Sequence, residues 1–328
     1  MLEFRVKASE NQKLRMMLEN IEINPYSHFI DFKNEIANIV NREEIADNLF
    51  NFIEETKSVE PIEQPLIFIE NLPIDNDLPI FSNTNPVEEK RYLKKNFVAE
   101  GVLTLYALLR DEKPIGYMNV NDGDVFQDIY PKEDLFSSQS QKALNDIYFH
   151  KDLANHYVRP DTVNILCLRN SVQNHTVTSF SRNVDVLNEL SEYDKDILSK
   201  KIFNTPFDDL STYKSNVPLG KSDIHNILDK ESLDIKFFEN RTTSDDKDGR
   251  EVIRKLIKAL HKVKINIHLR PGDLIGSANN FSVHCKSILS ISNPDMLKQR
   301  WLMKTVNVDD YDKHKKYHYN NIQHLIAG

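Results

Sequence analysis

A single residue separates His150 from Asp152 in the segment Phe149-His150-Lys151-Asp152-Leu153. In an extended chain, residues two apart face the same way. An imidazole and a carboxylate at this spacing can therefore reach one metal ion together. His284 lies far downstream, after the strand-and-turn pattern Leu269-Arg270-Pro271-Gly272-Asp273-Leu274-Ile275. Two imidazoles and one carboxylate on one face leave coordination positions open. That is the donor set of non-haem iron(II) sites, which bind a second ligand and dioxygen side by side. The same three groups would also hold zinc for a hydrolytic reaction. H-x-D alone is a weak signal, because a lone histidine is more often hydrogen-bonded or exposed than a ligand.

A second group strengthens the oxygenase reading. Gln299-Arg300-Trp301-Leu302 follows His284 on the next apolar segment. The planar guanidinium of Arg300 can grip a far carboxylate with two hydrogen bonds. The near carboxylate and ketone of a 2-oxo-dicarboxylate would then chelate the metal. Standing alone, Arg300 would read as a surface charge beside a packed Trp301. A zinc hydrolase has no use for such an arginine and needs a general base instead.

These residues need elements to hold them. Apolar positions recur at helical spacing from about Ser9 to Ile21 and from Ile30 to Thr56, which predicts an N-terminal helical layer. Pro65–Glu70 reads as a strand, and Asn71–Pro86, rich in Pro, Asn and Asp, reads as a loop. Val98–Leu109 reads as a helix. Pro114–Val120 and Val125–Ile129 flank Asn121-Asp122-Gly123, which predicts a hairpin. Val163–Arg169 and Val177–Phe180 read as buried strands, and Val184–Phe203 returns to helical spacing. Arg250–Val263 puts Val252, Ile253, Leu256, Ile257 and Leu260 on one stripe, the pattern of an amphipathic helix. Ile265–Leu269 and Gln299–Val308 read as strands. Helices first, then many short strands with helical interruptions, suit an α+β protein built on an antiparallel jelly roll, and not a βαβ alternation. One domain over residues 1–328 is expected. It comprises a helical layer (1–60), a jelly-roll core (61–310) with a helical insertion at about 184–263, and a polar tail (311–328). The tail histidines His314, His318 and His324 have no acidic or cysteine company, and a mobile terminus is expected there.

Composition narrows the function classes. The chain has 328 residues and a formal net charge of -8, which disfavours a phosphate backbone as partner. Its two cysteines, Cys167 and Cys285, cannot form a disulfide framework or a CxxC metal knuckle. The first residues carry no apolar run like a signal-peptide core, and no stretch reaches the length of a transmembrane helix. A cytosolic protein without nucleic-acid or membrane partners is expected, and its oligomeric state is left open.

From Leu105 to Asp309 the chain resembles the clavaminate synthase-like branch of the iron(II)/2-oxoglutarate oxygenases, which includes arginine and lysine hydroxylases. The resemblance runs through Lys113-Pro114-Ile115-Gly116-Tyr117, Gly123-Asp124-Val125-Phe126-Gln127-Asp128-Ile129-Tyr130-Pro131 and His150-Lys151-Asp152. It continues through Pro160, Leu166-Cys167-Leu168-Arg169, Arg270-Pro271-Gly272-Asp273-Leu274, Asn280-Phe281, His284 and Gln299-Arg300-Trp301-Leu302. It implies a double-stranded β-helix (cupin-like jelly roll) that uses iron(II), 2-oxoglutarate and O2. His150, Asp152 and His284 would be the metal ligands, and Arg300 with Thr178 would bind the far carboxylate of 2-oxoglutarate. Read by itself, Thr178 is also an ordinary β-branched strand residue.

The resemblance further implies a free L-amino acid as substrate, with a basic side chain as first expectation. Gln127 and Ser140 would touch its backbone groups, and Glu239 in Phe237-Phe238-Glu239-Asn240-Arg241 would read a cationic side chain. A strand-end amide, a polar loop and a solvated acid are their ordinary alternatives. Asp152 fills the position that related halogenases leave to chloride, so hydroxylation is the default, with desaturation and ring closure as related outcomes. The sequence departs from the family pattern at Lys151, where Thr is usual, and at Cys285-Lys286, where Gly-Arg is usual. Lys151 is expected to point away from the metal, and Cys285-Lys286 to reshape a pocket wall. The gap from His284 to Arg300 is slightly long. Two rival readings stand beside the oxygenase: a zinc hydrolase, and a degenerate binding protein that keeps the fold without turnover.

Overall fold

The computed structural model describes residues 1–41, 46–207 and 222–327. Its strands are β1 (Leu2–Arg5), β2 (Leu66–Glu70), β3 (Lys113–Tyr117), β4 (Gln127–Ile129), β5 (Ile147–His150), β6 (Thr162–Arg169) and β7 (Asn174–Arg182). They continue with β8 (Phe203–Asn204), β9 (Ile224–His225), β10 (Ile265–Ile267), β11 (Leu274–Ala278), β12 (Ser282–Ile291), β13 (Trp301–Val308) and β14 (Leu325–Ile326). The larger sheet has the order β1-β2-β11-β6-β13-β3-β14, with β4 also on β13. The smaller sheet has the order β10-β7-β12-β5, and β8 and β9 form a separate ribbon. The expected jelly roll is thus present, with helices on both outer faces.

Strand alternation divides the core into three apolar layers. Trp301 and Met303 of β13 face outward and pack with Val98, Val102, Phe32 and Ile36 of the helical layer. Leu302 and Val306 of the same strand face inward, meeting Ile165 and Ile275 of the large sheet and Phe180 and Ile267 of the small one. Val283 and Cys285 of β12 turn to the far side, against Val252, Leu256 and Leu260 of the helix Lys247–Val263. The inward-facing even-numbered positions of β12 and β13 are therefore the ones that can line a cavity between the sheets.

Most expected elements form where the pattern put them. The first helix is Ala8–Glu19, the stretch Ile30–Thr56 divides into Phe29–Val40 and Asp47–Thr56, and Val98–Leu109 is helical throughout. Two expectations are corrected. The Asn121-Asp122-Gly123 turn forms, with positive φ at all three residues, yet it does not close a hairpin. Instead β3 pairs with Val306–Val308 and β4 with Leu302–Lys304, so both add in series to one edge of β13. Turn chemistry is local, whereas pairing follows the longest buried edge on offer. The turn also folds back on β3: a Cβ on Gly116 would meet the Gly123 carbonyl oxygen at 2.1 Å. The second correction concerns the tail. It returns to the core, β14 pairs in parallel with β3, and Ile326 is buried.

Candidate active site

β12 lies between β7 and β5, and its register sets His284 directly opposite His150. One extra residue on β5 between the Ile147 and His150 pairings makes a bulge there. The Tyr148 carbonyl accepts a hydrogen bond from Nδ1 of His150 at 2.8 Å, which leaves Nε2 for a metal. Nε2 of His150 lies 3.6 Å from Oδ1 of Asp152, and Nε2 of His284 lies 3.9 Å from Oδ2. One ligand atom from each of the three residues falls within 4.8 Å of the others, the proximity a single ion requires. Among the described residues no other His/Cys/Asp/Glu group meets that test, and the three tail histidines do not gather.

The protonation states suit a metal. Burial pushes the Asp152 carboxyl up, but Lys304 above all, with His150 and His284, outweighs it and holds the group well below the carboxylate range. Burial, helped by His150, takes His284 down to about 3. An ionised carboxylate and a neutral imidazole are the forms that ligate.

Two cavities meet at these residues, and His150, Asp152, Gln141, Ile147 and Lys304 line both. The inner one is walled by Ile129, Ile165 and Leu302 and carries His284, Thr178, Lys286 and Arg300. Arg300 is buried, and its Nε has no hydrogen-bond partner. Burial lowers its pKa from the ordinary arginine value. Thr178 of β7 is paired with Lys286 of β12. The outer cavity is lined by Gln127, Ser140, Asn155, His156, Thr205, Phe237 and Phe238. Gln127 is buried with Nε2 unpartnered, and it stands opposite Lys304 in the β4–β13 register.

The structure thus gathers His150, Asp152 and His284 around one point, brings Arg300 and Thr178 into the inner cavity, and brings Gln127 and Ser140 into the outer one. Glu239 is not brought there. Its carboxylate accepts from the Phe149 backbone N–H at 3.1 Å and faces Nε2 of His261 at 2.9 Å. Segment 237–239 runs along the open edge of β5, through a His150–Phe238 bridge and the Glu239 N–H to Phe149 carbonyl bond. This engages the acid in closing that edge, and Glu239 lines neither cavity. Lys151 points away from the His150, Asp152 and His284 cluster, to Asp234, which also accepts from Arg159 at 2.8 Å.

Lys304 escaped the sequence reading, and Lys286 was expected only as part of a reshaped pocket wall. Lys304 bonds Oδ2 of Asp152 at 2.9 Å, and Lys286, on the wall of the inner cavity, donates to the Ala143 carbonyl at 2.7 Å. Burial, with Arg300 beside it, takes Lys286 down to about 7. A signal for both existed: Lys286 is two residues past His284 and Lys304 four past Arg300, so alternation puts each on the inward face.

No family model matches the chain. Clavaminate synthase 2 of Streptomyces clavuligerus matches 253 residues at 25% identity, covering 73% of each protein. An asparagine oxygenase solved with Fe(II), 2S,3S-3-hydroxyasparagine and succinate superposes with a TM-score of 0.84 at 18% identity, covering 100% of both chains. The non-heme iron oxygenase OrfP, solved with Fe, succinate and (3S)-hydroxy-L-Arg, superposes at 0.83 and 17% identity, again over 100% of both chains. The fold is the one these non-haem iron oxygenases share, and the resemblance to the clavaminate synthase-like branch is borne out.

Proposed function

We propose that this protein is an iron(II)- and 2-oxoglutarate-dependent oxygenase that hydroxylates an unactivated C–H of an L-amino acid, releasing succinate and carbon dioxide. The observation that carries the reading is Arg300, a buried guanidinium with an unpartnered Nε on a cavity that shares its wall with the His150, Asp152 and His284 cluster. A buried arginine without an acceptor is costly, and a carboxylate is the group its planar fork fits. Solved neighbours carry Fe with alpha-ketoglutaric acid or with succinate, which agrees with this cofactor set.

His150, Asp152 and His284 would hold the iron, and bound iron with 2-oxoglutarate supplies the activation of dioxygen. Everything else falls to the side chains. The Tyr148 carbonyl fixes the His150 ring, and Lys304 steadies Asp152. Arg300 and the Thr178 hydroxyl take the far carboxylate, while Ile129, Ile165 and Leu302 exclude water around the chain of the dicarboxylate. In the outer cavity the Gln127 amide and the Lys304 ammonium offer donors to a substrate carboxylate, and Ser140 lies beside them. Fixing the carboxylate end of a small substrate beside the metal limits which C–H lies nearest it, and position rather than affinity sets the outcome. The amino-acid class comes from the resemblance and agrees with the hydroxyasparagine and hydroxy-arginine held by the solved neighbours, and these donors fit its carboxylate. A preference for basic side chains has no support from Glu239. A cytosolic location fits two free, buried cysteines, and no helix among the described residues is long and apolar enough to cross a membrane.

The test is turnover. Protein with Fe(II), ascorbate, 2-oxoglutarate and O2 is offered arginine, lysine, ornithine, citrulline, asparagine and other neutral amino acids. Succinate release and a mass gain of one oxygen are expected with at least one. Metal and 2-oxoglutarate binding without succinate under any condition would leave a degenerate binding protein. Zinc-dependent, oxygen-independent cleavage of a substrate would establish the hydrolase instead.

A further inference from the structure

Lys286 is a buried cation for which the reading above has no task. It follows His284 by two residues on β12, so both side chains enter the space between the sheets, while Cys285 turns to the opposite layer. Its partner across the β7–β12 pairing is Thr178, and Lys286, Thr178 and Arg300 line the same inner cavity. The ammonium has three donors, and the one hydrogen bond it makes is to the Ala143 carbonyl at 2.7 Å. Arg300 beside it is buried with Nε unpartnered. Asp152 is the one carboxylate among the residues lining this cavity, and it is held by Lys304 and the two imidazoles. Two like charges enclosed on one small cavity repel, and burying each without a counter-ion is costly. An anion received between them removes both penalties.

We propose that Lys286 is a second cation for the cosubstrate: its ammonium, with the guanidinium of Arg300 and the hydroxyl of Thr178, receives the far carboxylate of 2-oxoglutarate. This rests on the cosubstrate reading above and adds to it a residue outside the arginine–threonine pair. Arg300 grips the carboxylate in one plane through its fork, and Lys286 contributes a point charge from the facing sheet. The small sheet thereby closes on a ligand anchored by the large one.

The competing role for Lys286 is structural, a tether for the Ser140–Ala143 segment through the Ala143 carbonyl. Two variants and two ligands separate the roles. Lys286→Met removes charge and tether; Lys286→Gln removes the charge and keeps a donor for the carbonyl. Binding is measured by calorimetry under anaerobic conditions on Fe(II)-loaded protein. The ligands are 2-oxoglutarate and 2-oxopentanoate, which has the same chain without the far carboxylate. Both variants are expected to bind 2-oxoglutarate roughly 10- to 100-fold more weakly, the loss typical of a charge-assisted hydrogen bond. Their affinity for 2-oxopentanoate should match that of the unaltered protein. Lys286→Arg should retain most of the 2-oxoglutarate affinity. Equal losses for both ligands, or wild-type affinity in Lys286→Gln, would overturn the proposal and leave the tether. If the unaltered protein binds no 2-oxoglutarate, the functional reading and this proposal fall together. If it binds and the variants match it, only Lys286 is misassigned.

Discussion

Arg300 and Glu239 show how far single residues can be read. Both are charged residues near an apolar segment in sequence. Arg300 could be placed because it immediately precedes β13, where even-numbered positions turn inward. Glu239 could not, because segment 237–239 is irregular chain whose facing is set by a bridge to β5 from far away in sequence. Lys304 was legible by the same alternation as Arg300, but lysine on a strand reads by default as a solvated edge; Lys286 was marked only as part of an altered pocket wall. For Arg300 the expectation is direct. Arg300→Ala should weaken 2-oxoglutarate binding to the metal-loaded protein strongly, since truncating one partner of a buried charged pair typically costs about 2–5 kcal/mol. Arg300→Lys should recover only part of it, because an ammonium lacks the planar fork. Unchanged cosubstrate affinity in Arg300→Ala would show that the far carboxylate binds elsewhere.

At the scale of elements, two buried carboxylates join segments that the apolar pattern leaves unconnected. Asp234 gathers Lys151, between His150 and Asp152, and Arg159, and so ties segment 234–239 to the H-x-D segment. Asp234→Asn should destabilise the protein by about 3 kcal/mol, the loss expected when one member of a buried ion pair is removed. It should also raise the KM for the amino acid more than that for 2-oxoglutarate, because Phe237 and Phe238 wall only the outer cavity. Denaturant midpoints and paired KM values check both, and equal KM changes would refute the link. Glu112 sits at the head of β3 and accepts from Asn164 of β6 at 2.6 Å and from Asn307 of β13 at 3.0 Å. Burial raises its pKa to about 7, against an ordinary value of 4.5. Between these values the folded state holds a proton that the unfolded state has lost. Stability from this group is complete below about pH 4.5 and is lost as pH rises through 7, by about 1.4 kcal/mol per pH unit at most. Glu112→Gln should therefore gain stability relative to the parent between pH 5 and 7.5 in urea unfolding. Parallel curves for the two proteins would show that Glu112 is ionised throughout. Such cross-sheet pairings were not legible in the sequence. Asn121-Asp122-Gly123 marked a turn correctly, but the partner of each flanking strand was decided by β13, more than 170 residues downstream.

Over the whole molecule, the site is a clasp between two sheets. β5, β7 and β12 bring His150, Thr178, His284 and Lys286, while β4 and β13 bring Gln127 and Lys304, with Arg300 next to β13. Periodicity predicted β4, part of β7 and β13, but not β5 and β12, which carry His150, His284 and Lys286; for those the H-x-D spacing and the family motifs predicted the convergence. The order of the strands and the return of the tail to β3 came only from the structure, because neither leaves a local signature. A ligand that touches both sheets should stabilise the fold as a unit. Binding to the native state alone adds RT ln(1 + [L]/Kd), about 2.7 kcal/mol at a hundredfold excess over Kd. Metal and 2-oxoglutarate should also be coupled, because chelation by the near end requires the metal while the far end needs Arg300. Thermal unfolding without oxygen should show a modest rise in Tm with Fe(II) and little with 2-oxoglutarate alone. Both together should raise Tm by more than the sum of the two. In Arg300→Ala the Fe(II) increment should survive and the added 2-oxoglutarate increment should shrink; in Asp152→Ala both should vanish. A full 2-oxoglutarate increment in Asp152→Ala, or one that is independent of metal, would mean that the dicarboxylate does not bridge the metal and Arg300, and the two-sheet clasp would have to be abandoned.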